Sequence, residues 1–486
     1  MNRDTYKILL KSFAKDVGFV SHQINSFNEF VNVRLQKIFD EIKEIKLETE
    51  TGEFRIKLGK VRLGKPSVKE ADGAVRFITP MEARVRNLTY AAPIYVEFIP
   101  IINGIEQEKE EVKIGELPIM LKSEKCILYG LSDEELMKLG EDPKDPGGYF
   151  IINGTERVIV MSEEILPNLP IVELRKGQEI VRINSEVSGF IQMHLIERKS
   201  GILYISFANV KKMPLFILLR ALGLESDKEI IEAIGEDPTM EEDLYYNLLF
   251  HEVKNRDDAK KYIAKKLHIQ QSPITRVNEI LDKYLLPHLG QGPKARIEKA
   301  LYLANVAKKL ILVGNGKIEP QDIDHYGNKR IRSVGDFLEV LLRSVLLGKY
   351  GLITRITYRY QRMAKRGKMP TLQSIVESDY LTKRIISHMA TGKWVGGLTG
   401  ICQRLERTNW LRTLAHLRNV LSPLSSQQEH FEARTLHPTQ WGRLCAEETP
   451  EGVNIGLRKY LAVMAVISKS ASKVEIRKVN EIVNKY

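Results

Sequence analysis

Apolar residues recur at helical spacing near the start of the chain. Phe27, Phe30, Val31, Leu35, Ile38, Phe39 and Ile42 share one face, which predicts a helix, with Ser26 and Glu29 reading as a capping box at its start. Residues 53–63 then alternate with a period of two through Phe54, Ile56 and Leu58, which predicts a strand, and residues 84–98 read as a further strand region. A second capping pair, Ser132 and Glu135, opens a short helix that Gly140 stops. Near residue 165 the texture changes at Leu166-Pro167-Asn168-Leu169-Pro170. From there to about 315 strands mix with helices, the pattern of an inserted α+β domain. A helix over Val334 to Leu347 follows, then a basic run at 358–369 that reads as an exposed loop or helix end. Beyond Ala390 the chain is rich in Gly, Pro, His and Arg and holds all three tryptophans, Trp394, Trp410 and Trp441. The charged tail, residues 467–486, carries no expected helix or strand of its own.

With 486 residues the chain is too long for one compact core, and two to four domains are expected. Its apolar runs fall well short of a membrane span, and its charged N-terminus does not read as a signal peptide. Cys126, Cys402 and Cys445 form no CxxC pair, so neither a zinc site nor a disulfide framework is expected, and a reducing cytoplasm fits. Charge changes the picture more. Residues 351–486 hold 22 basic and 10 acidic side chains, which accounts for the whole net charge of +12; residues 1–350 balance at 52 each. A basic excess confined to one end points to a polyanion partner there, or to a solvated basic face.

Three short motifs are weighed against plain structure. Residues 390–394, ATGKW, lack the GxxxxGK[ST] pattern of a phosphate cradle. Asp322 and Asp324 could share a Mg²⁺ ion, but the basic residues after them favour a turn. His437 has no nucleophile motif with it. Residues 433–463 are different. Arg434, His437, Gln440, Trp441, Arg443, Glu447, Glu448, Glu451 and Asn454 crowd onto backbone punctuated by Pro438, Gly442, Pro450, Gly452 and Gly456. Dense polar groups on turn-forming backbone are how loops present chemistry to a ligand.

The stretch HPTQWGRLCAEETPEGVNIGL at 437–457 closely resembles the fork region of the second-largest (B/β) subunit of multisubunit RNA polymerases. MEARVRNLTYAAPIYVEF (81–98), IGELPIMLKSEKC (114–126), DPGGYFIINGTERVIV (145–160), DIDHYGNKRIRSVGDFLEVLLRS (322–344) and residues 390–424 match further family blocks in order. The resemblance is therefore global, and is to the N-terminal half of a split archaeal B subunit.

The resemblance implies an α+β multidomain fold. Protrusion would take residues 1–165 and 321–380, lobe 166–320 and fork 381–460, with 461–486 starting an external region that a partner chain completes. It implies a cytoplasmic subunit of a nucleotidyltransferase whose Mg²⁺ sits on another subunit, with no zinc and no catalytic residue on this chain. The implied partners are the C-terminal half of the B subunit, the largest and other polymerase subunits, template DNA, nascent RNA and ribonucleoside triphosphates, with no membrane. Arg418, Arg434, His437, Gln440, Arg443, Glu448, Glu451 and Asn454 would lie near nucleic acid or nucleotide. Arginines would contact phosphates or bases, while Glu448, Glu451 and Asn454 orient them, and Trp441 packs the loop. Arg359, Arg362, Lys365, Arg366 and Lys368 are further DNA-contact candidates. Asn419, Ala446 and the 422–433 loop, which lacks the basic and glycine-rich character common at the fork tip, depart from the common family pattern. Rival readings are a stand-alone nucleic-acid-binding protein and a stand-alone Mg²⁺ enzyme on Asp322 and Asp324.

Overall fold

The long amphipathic helix is where the first core begins. The computed structural model describes residues 3–49, 52–175, 177–250, 253, 255–366, 371–468 and 473–483. Helical backbone runs from Ser21 to Ile42 through a π-helical turn at Phe30–Arg34, and Phe27, Phe30, Leu35, Ile38 and Phe39 are buried along it. Ser26 is not a cap here, because the helix starts at Ser21. Its Oγ lies 2.7 Å from Ser333 Oγ and accepts the Gly335 N–H at 2.9 Å, tying this helix to the start of helix Val334–Leu347. The true capping box there is Ser333 with Asp336. Arg34 reinforces the junction by donating to Asp336 at 2.6 Å and to Glu29.

The chain divides into two units, Met1–Glu163 with Ile331–Tyr486, and Glu164–Arg330. In the first, strands Glu44–Thr49, Gly52–Leu63 and Ala91–Ile102 pair antiparallel in that order, and Glu110–Pro118 adds to Ala91–Ile102. Alternate side chains Ile94, Val96 and Phe98 enter the core, as a half-covered sheet requires. Residues 84–98, read as strand, begin instead at the end of helix Pro80–Val85, which Thr79 caps by accepting the Glu82 N–H. Helix Ser378–Thr391 packs on strand Glu110–Pro118. Gly115 permits the approach, since a Cβ there would lie 2.8 Å from Leu381 Cδ2. Helix Asp133–Lys138 has the Ser132/Glu135 capping box.

The second unit opens with a five-stranded antiparallel meander, Ile171–Arg175 to Val210–Pro214, followed by helices. Helix Leu215–Leu222 is buried on every side, and helix Pro293–Gly314 lays Ala300, Leu303, Ala304, Ala307, Leu310 and Ile311 into the same core. His194 is fully buried between strand and helix: its Nδ1 is 3.0 Å from the Gln192 carbonyl, and its Nε2 accepts the Leu286 N–H. Burial holds it neutral, with its pKa pushed down to about 4.

The tail reading changes, while the turn favoured for Asp322 and Asp324 is present. Residues 473–483 form a helix, Lys473–Val483, although the tail carries no expected element. Asp322 and Asp324 form a turn: Asp322 Oδ1 accepts the Asp324 N–H at 2.8 Å, and Lys329 pairs with Asp324 at 2.9 Å. Among the described residues, no group of three or more His, Cys, Asp or Glu is placed so that it could hold a metal ion. Among those residues, no helix is long and apolar enough to cross a membrane.

Candidate functional site

The motif-rich segment is a loop excursion whose two ends are zipped together. Helix Trp410–Leu417 starts at Asn409, whose Oδ1 accepts the Arg412 N–H at 2.7 Å. The chain then enters the short strand Asn419–Leu421, parallel to Met161–Ile165 and antiparallel to Arg458–Tyr460. The Ser422 N–H donates to the Leu457 carbonyl at 2.8 Å, closing the neck. Between those residues lies an excursion with short helical turns, Phe431–Arg434, Pro438–Gln440 and Gly452–Asn454, and one bridge back to the sheet side, Leu444 to Leu461. Irregular loops of such length in a packed domain are characteristically functional.

Side chains beneath the neck fix it to the core. Lys459 Nζ donates to Glu163 Oε1 at 2.8 Å, with both residues buried. Removing one partner of such a pair typically costs about 3–5 kcal/mol, because the other is left charged in a dry site. Arg418 is buried as well. Its guanidinium donates to the carbonyls of Phe19 at 2.6 Å, Ala462 at 2.6 Å and Val463 at 3.0 Å. Burial lowers its pKa, opposed by the charge of Glu448. Glu448 lies at the surface, yet partial burial pushes its carboxyl up against the pull of Arg412 and Arg418. Arg412 itself pairs with Glu406 and reaches the Tyr460 hydroxyl.

Inside the excursion Arg434 acts as a clamp. It donates to the carbonyls of Val453 at 2.8 Å, Ile455 at 3.0 Å, Ser426 at 3.1 Å and Gln428 at 3.4 Å. An arginine fork suits this role because its donors diverge in one rigid plane. Thr449 adds a second brace, donating to the Arg458 carbonyl and accepting the Gly456 N–H. His437 caps the turn Pro438–Gln440: its Nδ1 accepts the Thr439 N–H at 3.2 Å and lies 2.6 Å from the Thr439 hydroxyl. Gln440 is buried, and its carbonyl accepts the N–H groups of Arg443 and Leu444.

The candidates thus separate. Arg418, Arg434, His437 and Gln440 have their described bonds inside the protein. Arg443, Glu448 and Glu451 are exposed, Asn454 half-buried. The Arg443 side chain keeps one bond among the described residues, to the Thr439 carbonyl at 3.0 Å. Trp441 does not pack the loop, since it is 65% exposed; Phe431 is 79% exposed. Phe431 carried no periodic signal, being one apolar residue in a polar loop. In the basic run, Arg359 pairs with Glu377 at 2.5 Å, while Arg362, Lys365 and Arg366 are exposed. Lys368 lies outside the described residues.

Known proteins match along nearly the whole chain. A family model described as RNA polymerase beta subunit matches residues 18–383, and one described as RNA polymerase Rpb2, domain 3, matches 403–467. The DNA-directed RNA polymerase subunit Rpo2N of Methanocaldococcus jannaschii is 44% identical over 478 residues, 95% of each chain. Rpo2N of Halobacterium salinarum is 40% identical, over 96% of this chain and 93% of its own. The Rpo2 subunit of Saccharolobus solfataricus is 45% identical over 95% of this chain, which spans only 41% of that relative. The chain belongs to the RNA polymerase beta-subunit family, and what it matches end to end is the N-terminal half of the split archaeal form of that subunit.

Proposed function

We propose that this chain is one piece of a DNA-directed RNA polymerase, lining the DNA cleft and the fork beside the active centre during templated RNA synthesis. Residues 1–165 and 321–380 serve as protrusion, 166–320 as lobe, 381–460 as fork and 461–486 as the start of an external region that the C-terminal half of the subunit completes. The compact unit Glu164–Arg330 supports the lobe assignment. The catalytic Mg²⁺ ligands belong to another subunit, so this chain binds and orients nucleic acid, and ribonucleoside triphosphates meet it only in the assembly. The site is cytoplasmic, with template DNA and nascent RNA as its polyanions.

One observation carries the reading: the excursion 423–456 is clamped from within by Arg434 and pinned from below by Arg418, and it leaves Arg443 exposed beside Trp441. Arg443 is then the phosphate or base contact, with Glu448, Glu451 and Asn454 orienting the arginines or the substrate's neighbours. Arg418 and Arg434 are positioning residues. Arg362, Lys365 and Arg366 add long-range attraction to a backbone. The Arg443→Ala enzyme, reconstituted with its partner subunits, is expected to assemble normally and to elongate roughly tenfold more slowly, with a salt dependence of DNA binding shallower by about one charge. Normal elongation by that enzyme would remove Arg443 from the site. The stand-alone binding protein is the weaker reading, because the similarity to polymerase subunits runs the length of the chain.

A further inference from the structure

The N-terminal helix Arg3–Asp16 is left uncovered. Of its fourteen residues only Phe13 is buried, closing on Phe19 with ring centroids 5.6 Å apart. Tyr6, Leu9, Leu10, Phe13 and Val17 follow spacings of three and four and so share one face, yet Tyr6, Leu9, Leu10 and Val17 are exposed. A helix this short is marginal in water unless its apolar face is packed. Lys11 and Lys15 are exposed on the side of the helix away from that face.

The root of this helix lies beside the segment that leaves the fork. A single guanidinium, that of Arg418, holds the carbonyl of Phe19 and those of Ala462 and Val463. The outgoing segment is also apolar and open, with Val463, Met464 and Val466 exposed. Backbone from far-apart parts of the sequence, each next to exposed apolar side chains, therefore meets at one buried guanidinium. The matched single-chain relative has more than half its length beyond what this chain covers.

We propose that the face formed by Tyr6, Leu9 and Leu10, continued by Val17, Val463 and Met464, is the seat of the partner chain that carries the remainder of this subunit. The inference rests on the polymerase-subunit reading and names a contact within it. The partner surface is apolar, matching that face. Because Arg418 joins helix root and fork neck, that partner is linked to the fork through a single side chain.

Hydrogen exchange on the full chain, alone and within the reconstituted polymerase, tests this. Amides of residues 5–15 are expected to exchange at least roughly 100-fold more slowly in the assembly. The Leu9→Asp, Leu10→Asp double variant is expected to bind the partner chain roughly 100-fold more weakly while its thermal unfolding stays unchanged, since both side chains are exposed. An assembly that forms with helix exchange unaltered overturns the seat and leaves the polymerase reading standing. Absence of any complex with polymerase subunits overturns both. Protection that grows with the concentration of this chain alone assigns the face to a second copy and also overturns the proposal.

Discussion

Arg418→Ala is expected to loosen the fork neck by about 3–5 kcal/mol, the net of three lost charge-assisted bonds at roughly 1.5–3 kcal/mol each and the relief of burying a guanidinium. The wild-type side chain holds the carbonyls of Phe19, Ala462 and Val463, and all three lose a donor in the variant. Water reaching them would have to open the same joint. Arg418→Lys should fall between, because an ammonium keeps the charge but cannot span three carbonyls in one plane. Local hydrogen exchange around Phe19 and Ala462 is the appropriate readout, since a two-unit chain need not unfold in one step. Unchanged protection in Arg418→Ala would mean that the neck stands without its pin.

Gly456→Ala is expected to be the more damaging change for the excursion itself. Gly456 has φ +70, and a Cβ there would lie 2.2 Å from the Arg434 carbonyl oxygen and 2.5 Å from Arg434 Cα. Backbone cannot yield as a flexible side-chain tip would, so Arg434 must move. It carries with it the bonds to Val453, Ile455, Ser426 and Gln428. The expected cost is about 3 kcal/mol or more, adding left-handed strain to the clash. Gly452→Ala is the matched control: its φ is +75, but nothing lies within 4 Å of a Cβ there. That variant should lose only about 1 kcal/mol, the strain alone. In reconstituted polymerase, Gly456→Ala should assemble and elongate at least roughly 100-fold more slowly, whereas Gly452→Ala stays within a few-fold. Equal behaviour of the two would show that the close approach to Arg434 is not what shapes the loop.

Local patterns were legible where they depended on neighbours in sequence. The apolar face Phe27–Phe39, the strand through Ile56 and Leu58, the Ser132/Glu135 cap and helix Val334–Leu347 all follow from period and capping chemistry. The Ser26/Glu29 pair misled because the same residue types serve a distant partner: Ser26 bonds Ser333, over three hundred positions away. The tail helix Lys473–Val483 was missed because its apolar residues Val474, Ile476, Val479, Ile482 and Val483 are diluted by charge and all remain exposed.

At the candidate site, the density of polar residues marked the right segment but could not sort them. Arg418, Arg434 and Arg443 look alike in sequence. One binds three carbonyls and one binds four, both inside the fold, and only the third extends outward. Trp441 likewise carries no periodic signal to say whether it packs or projects, and it projects.

In the proposed function the chain works beside an active centre held by other subunits. Capture of the tagged chain from its native cells, followed by an assay of DNA-templated ribonucleotide incorporation, tests this most directly. The chain should emerge with the rest of the subunit and the largest subunit, and the captured material should make RNA only when template and Mg²⁺ are both supplied. A folded, solitary chain that neither binds DNA nor supports incorporation would contradict it.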